Sequence, residues 1–140
     1  MEKREIEIVI KKIEEDSFSL SIPESLKESI KHDNIRMGIG FTLDPEIDKD
    51  LFVVRIAIQY KYDENVLLEY KASFTFVVKN LANLVNVKDS GLHANADFIP
   101  ELLRVSIGAL RGMLAIKTIG TILADDLLPI MDINQLLSDK

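Results

Sequence analysis

The side chains that could do chemistry are few. His32 and His93 are the only histidines. His93 stands in SGLHANAD close ahead of Asp97, a spacing that can orient an imidazole or support a metal ion, although a histidine at a helix entrance more commonly serves as a surface or capping group. The chain has no cysteine, which removes disulfides, thiol nucleophiles and thiolate zinc sites and fits a reducing compartment. HExxH, Walker A and dinucleotide GxGxxG patterns are absent from the sequence. Gly38 and Gly40 fall inside a strand pattern and point to a bulge or a close backbone approach rather than a phosphate cradle. The carboxylate pairs Glu14–Glu15 and Asp125–Asp126 are sequence neighbours, read as solvated, with nothing to make them share a proton. These residues predict a protein that is not an enzyme and that uses no metal and no cofactor.

Composition narrows the remaining classes. Seventeen basic against 23 acidic residues give a net charge of −6, and the isoelectric point is near 4.9. A phosphate backbone needs a basic face, so nucleic acid is not expected as a partner. With 47% hydrophobic and 29% charged residues over 140 positions, the chain reads as one globular domain spanning residues 1–140. The opening MEKREIEIVI is charged at once and has no apolar signal core, which predicts a cytoplasmic protein. The apolar run from Leu102 to Ala124 contains Arg104, Arg111 and Lys117. Each would cost about 2.5–3.5 kcal/mol at a bilayer centre, so the run is read as a buried helix and not a membrane span.

The elements that must position any site follow from periodicity. Ile6, Ile8 and Ile10 alternate with charged neighbours, with Val9 out of phase. A second extended piece places Phe18, Leu20 and Ile22 on one side, followed by Pro23 and a helical turn joining Leu26 and Ile30; it is either a bent continuation of the first strand or a crossover. Ile35 to Leu43, Phe52 to Tyr60 and Leu68 to Val78 then alternate cleanly, the habit of an antiparallel sheet with one dry face. The KYDENV stretch predicts a hairpin between the last two strands, and LDPEIDKD another polar link. Beyond Pro100, Leu103, Ile107, Leu110 and Leu114 form a helical stripe for the dry face, with Asn95 or Asp97 as cap and an end near Gly120. Asp132 and Gln135 have the spacing of a capping box on a short last helix. The predicted fold class is α+β: a four-stranded antiparallel sheet with one face covered by a long C-terminal helix, then a short final helix.

Two sets of apolar residues exceed what that core needs. Leu102, Val105, Ala109, Met113 and Ile116 lie off the helix's inner stripe, and Gly108 and Gly112 have GxxxG spacing, so another subunit is expected to cover this surface. Packing against the chain's own C-terminal segment is the alternative. Phe18, Leu20, Ile22, Leu26 and Ile30 in the first link, with Leu128, Ile130, Met131, Ile133 and Leu137 near the C-terminus, either close the edges of the core or line a groove for extended peptide.

The order strand, crossover, three strands, long helix and short helix resembles the SecB family of bacterial export chaperones. FIPELLRVSIGALRGML is similar to that family's Pro-initiated long helix, and LLPIMDINQLL to its closing pattern. The resemblance implies a homodimer or homotetramer with helices sandwiched between sheets, and ATP-independent binding of non-native polypeptide. The client role it implies is protein export, with a translocation motor as partner, or shielding of one unstable protein such as an antitoxin. A carrier of a small apolar ligand and a protein–protein adaptor stand as alternatives.

Overall fold

The computed structural model describes residues 7–24, 34–84, 87–88, 91–92, 98–125 and 132–138. Strands β1 (Ile8–Leu20), β2 (Ile35–Glu46), β3 (Leu51–Tyr62) and β4 (Asn65–Val78) form one antiparallel sheet in the order β1-β4-β3-β2. Between β4 and the long helix come a one-turn helix, α1 (Leu81–Leu84), and a two-stranded ribbon, β5 (Val87–Lys88) with β6 (Gly91–Leu92). These pieces are too short to leave a periodic signal in the sequence. Helix α2 (Ile99–Lys117) follows, and α3 (Ile133–Ser138) closes the chain. The α+β class is therefore as predicted.

Alternation decides which face is dry. Phe52, Val54, Ile56, Ile58 and Tyr60 on β3 and Leu68, Tyr70, Ala72, Phe74, Phe76 and Val78 on β4 are all buried. Cross-strand pairs such as Phe52↔Phe76, Val54↔Phe74 and Ile58↔Tyr70 put both sets on the same side. The opposite side carries paired polar groups, including Arg55 with Asp44 and Gln59 with Glu69 (2.8 Å). The β3–β4 hairpin turns on Asp63 and Glu64, with Asp63 in the left-handed region (φ 53°), a conformation that Asp tolerates better than most residues.

β1 runs as one strand to Leu20, so the extended piece with Phe18 and Leu20 is a bent continuation of the first strand, while the helical turn expected at Leu26 and Ile30 lies outside the described residues. The pairing of β1 with β4 slips between Ile10 and Lys12 and again between Glu15 and Ser17. Each bulge inserts one residue and reverses the alternation of the residues beyond it. Ile8, Ile10, Ile13, Glu15, Phe18 and Leu20 therefore all face the dry side, opposite Val78, Phe76, Phe74, Ala72, Tyr70 and Leu68. The link expected around Asp44 and Pro45 lies one step later. β2 runs on through Glu46, and the turn is a 3-10 segment, Ile47–Lys49, closed by Asp50 at φ 53°. β2 is an edge strand, so the missing N–H of Pro45 breaks no interior ladder.

Helix α2 begins at Phe98 without a side-chain cap, with Pro100 in its first turn; Asn95 and Asp97 lie outside the described residues. It ends at Lys117, and Gly120 (φ 82°) takes the left-handed position after the turn. Its inner stripe, Leu103, Ile107, Leu110 and Leu114, is buried on β3 and β4. The Asp132 carboxylate accepts the backbone N–H groups of Asn134 (3.0 Å) and Gln135 (3.3 Å), capping α3. Phe74 is fully buried in the central strand. Phe74→Ala should therefore lower the unfolding free energy by about 3–5 kcal/mol in urea titrations, with the slope of the transition unchanged.

Candidate functional site

Helix α2 crosses the dry face obliquely. At its start the Phe98 ring meets Phe52 edge-to-face (centroids 5.7 Å). At its end the Lys117 ammonium reaches β1, at Glu15 (2.9 Å) and over the ring of Phe18 (5.0 Å). The first half of β1 is left uncovered: Ile10 and Ile13 face the dry side yet are 40% and 47% exposed. The helix itself has a second stripe. Val105, Gly108, Gly112 and Ile116 lie about half a turn from the inner stripe at about 3.6 residues per turn, and all four are exposed, Ile116 to 72%. Ile119, just past the helix, is 74% exposed.

The glycines of that outer stripe are not required by the chain's own packing. A Cβ built on Gly108 or Gly112 meets nothing within 4 Å, and neither has positive φ. Glycine in a helix interior costs about 0.8–1 kcal/mol relative to alanine. The expected interface set divides on inspection. Leu102 is a correction: it is buried to 1% exposure within the chain's own core and is unavailable to a partner. Ala109 and Met113 are half-buried against the core. Val105, Gly108, Gly112 and Ile116 are accessible.

The second apolar region lies where β1 ends. Phe18, Leu20 and Ile22 are half-buried against the core. Leu20 and Ile22 join Gly120, Thr121 and Ile122 around a cavity of about 350 Å³. Of the C-terminal residues expected here, Ile133 is buried, which makes it a core residue and not an open contact, and Leu137 is half-buried against the same core. Leu26, Ile30, Leu128, Ile130 and Met131 lie outside the described residues, as do His32 and His93. Sequence reasoning overlooked Thr121 and Ile122; the signal was the helix stop at Gly120 followed, after Thr121, by the apolar pair Ile122 and Leu123.

Between the two regions sits a polar cluster that also corrects a reading. Glu14 and Glu15 are not an equivalent solvated pair, because the strand sends them to opposite faces. Glu14 pairs with Lys12 (3.1 Å) on the outer side. Glu15 faces the helix and accepts hydrogen bonds from Lys117 Nζ (3.0 Å) and from the Tyr70 hydroxyl (2.9 Å). The Tyr70 ring stacks edge-to-face on Phe18 (5.4 Å). Its neighbour Asp16, the bulged residue, accepts from Ser73. The Lys117 bond, then the Tyr70 bond, hold the Glu15 carboxyl below its ordinary value. Burial, then the bond to Glu15, push the Tyr70 phenol up to about 12.

No protein-family model matches the chain, and no functionally curated protein matches it in sequence. Among solved structures it is similar to the SecB-like chaperone Rv1957 of Mycobacterium tuberculosis, determined in complex with a ChAD peptide from the HigA1 antitoxin. The TM-score is 0.52 at 11% identity, covering 89% of this chain and 91% of that one. The fold resembles that of a SecB-like chaperone. No helix among the described residues is long and apolar enough to cross a membrane.

The Glu15 cluster has a pH signature. A carboxyl depressed on folding contributes stability above its unfolded pKa, and that contribution is lost as pH falls through the folded value. Glu15→Gln should flatten the acid limb of the stability–pH curve. It should also lower the Tyr70 phenol from about 12, because the carboxamide removes the negative charge beside the hydroxyl, as read by NMR titration of ring-labelled tyrosine.

Proposed function

We propose that the chain is a homo-oligomeric, ATP-independent holdase for non-native polypeptide, working in the cytoplasm. The observation that carries the reading is the division of surplus apolar surface into two places. One is the outer stripe of α2 with the uncovered half of β1. The other is the cavity between the end of β1 and the segment after α2. A monomer with no partner has use for neither. The first is assigned to self-association and the second to client.

Self-association suits the first surface because β1 is an edge strand, and a long edge with apolar residues must be covered. Antiparallel pairing of two β1 strands about Ile13 sets Lys12 against Glu14 of the second copy on the outer face, a self-complementary register. The exposed stripe containing Gly108 and Gly112 points away from the sheet and lets a helix of a further copy approach closely from above.

The client surface suits extended polypeptide. Phe18, Leu20, Ile22 and Ile122 offer adaptable apolar contacts beside a sheet edge, and the cavity is too small to enclose more than a few side chains at a time. A dedicated client, such as an antitoxin segment, is favoured over general export by the similarity to a chaperone that was determined with an antitoxin peptide. A translocation motor as partner has no comparable support.

Two experiments test the proposal. Because the chain lacks cysteine, Ile13→Cys introduces a single thiol. Mild oxidation should give a covalent dimer in high yield, since directly opposed strand residues sit about 4.5–5.5 Å apart, within disulfide reach. Lys49→Cys, in the distant β2–β3 turn, should not crosslink. A 15.8 kDa species at all micromolar concentrations in sedimentation would refute the assembly. For the client site, Ile22→Asp with Ile122→Asp should leave circular dichroism and oligomer mass unchanged and weaken suppression of aggregation by about tenfold or more. A fully covered contact of this size contributes about 1.5–3 kcal/mol, and about 1.4 kcal/mol is a factor of ten. A folded double variant with undiminished activity would place the client elsewhere.

A further inference from the structure

Resting on the holdase reading, we propose that Lys117 is a specificity-determining residue: it covers the face of Phe18 in the empty chaperone and must swing aside to seat a large apolar, preferably aromatic, client side chain that has no basic neighbour.

Glu15 occupies an unusual position. On the dry side of β1 every other residue in register is apolar: Ile8, Ile10, Ile13, Phe18 and Leu20. A carboxylate there has to be compensated, and Tyr70 and Lys117 compensate it from the sheet and from the helix. The result is a closed ring of contacts, Phe18 to Tyr70 (5.4 Å), Tyr70 to Glu15 (2.9 Å), Glu15 to Lys117 (2.9 Å) and Lys117 back to Phe18 (5.0 Å). Three members of this ring are held by strands. The fourth is a flexible four-carbon side chain at a helix end, a little over a third exposed.

Lys117 can leave the ring face without losing its ion pair. Glu15 presents both carboxylate oxygens to the ammonium, at 3.0 and 2.9 Å, so a rotation of the lysine stem keeps one bond while uncovering Phe18. A cation–π contact near the surface is weak enough to be displaced. Phe18 is the next residue to Leu20 on the same side of β1, and Leu20 lines the cavity with Ile22 and Ile122. An apolar side chain entering that cavity can then stack on Phe18, whereas a basic residue beside it meets the ammonium at short range. The structural alternative is that Lys117 merely staples α2 to β1.

Binding of two peptides to wild type and to Lys117→Met separates these roles. Each peptide carries one phenylalanine in an otherwise apolar extended segment, flanked in one by glutamine and in the other by lysine. At about 0.15 M salt the screening length is about 8 Å, so only charges near the site discriminate. Lys117→Met should bind the glutamine peptide several-fold tighter than wild type, and the several-fold handicap of the lysine peptide relative to it should shrink towards none. In wild type, the Lys117 side-chain NMR signals, shifted by the Phe18 ring current, should move on adding the glutamine peptide. Unchanged affinities with unmoved Lys117 signals would overturn the gate and leave the holdase reading standing with a client site elsewhere. Weaker binding of both peptides by a folded Lys117→Met would make Lys117 a staple or an anchor and also overturn it. Failure of wild type to bind either peptide, or any unfolded polypeptide, would remove the holdase reading and the gate with it.

Discussion

The structure depends on how one helix covers one sheet face. The dry side of β3 and β4 is a field of Phe, Tyr, Ile, Leu and Val, and burying each of the larger side chains contributes about 1.5–3 kcal/mol. A single helix is about 10 Å wide, whereas four strands at about 4.8 Å spacing are nearly twice that. One helix therefore cannot cover four strands, and the crossing direction decides what remains bare. Because α2 runs from Phe52 to Glu15, the exposed remainder falls on the first half of β1. Its location is a consequence of geometry and not of an excess of hydrophobic residues in any one element.

The same crossing makes the C-terminal end of α2 a junction. Lys117 stands where helix, edge strand and the segment after the helix meet, and the Glu15 bond is the one described ion pair that ties β1 to α2. An ion pair about a third exposed is modest in stability and sensitive to its surroundings. That suits a contact which positions surfaces relative to one another better than one which holds the fold together. The hydrophobic layer does the latter, and Ser106 and Thr118 avoid disturbing it by returning their hydroxyls to the helix carbonyls of Leu102 (2.7 Å) and Leu114 (2.8 Å).

Two bulges in β1 couple the fold to the site. Without them, Ile8, Ile10, Phe18 and Leu20 would still share a face, but Ile13 and Glu15 would turn to the outer side and Lys12 and Glu14 to the dry one. The bulged Asp16 is tied to Ser73 on the outer side while Glu15 is tied to Tyr70 on the inner. Bulges bend and twist an edge strand, a recognised device against uncontrolled edge pairing. Here they also separate the strand into a half with exposed isoleucines and a half that builds the cavity.

Much of this was legible in the residues. Uninterrupted alternation in β2, β3 and β4 determined the sheet and its dry face, because the period of two is a property of the extended chain alone. The inner stripe of α2, the turn at Asp63 and the cap at Asp132 are likewise local, each set by near neighbours. β1 was legible only in part: its apolar residues at 8, 10, 13, 18 and 20 follow a broken period, and the breaks are bulges that pairing with β4 creates. What only tertiary structure decided is which surplus residues are surplus. Leu102 and Ile133 looked available and are core, while Ile10 stood in the alternating apolar set and is exposed. Glu15 looked like half of a solvated pair and is the acceptor for Tyr70 and Lys117. Sequence carries the face on which a side chain stands; whether that face is covered depends on where a helix about ninety residues away crosses it, and no local pattern encodes a crossing angle.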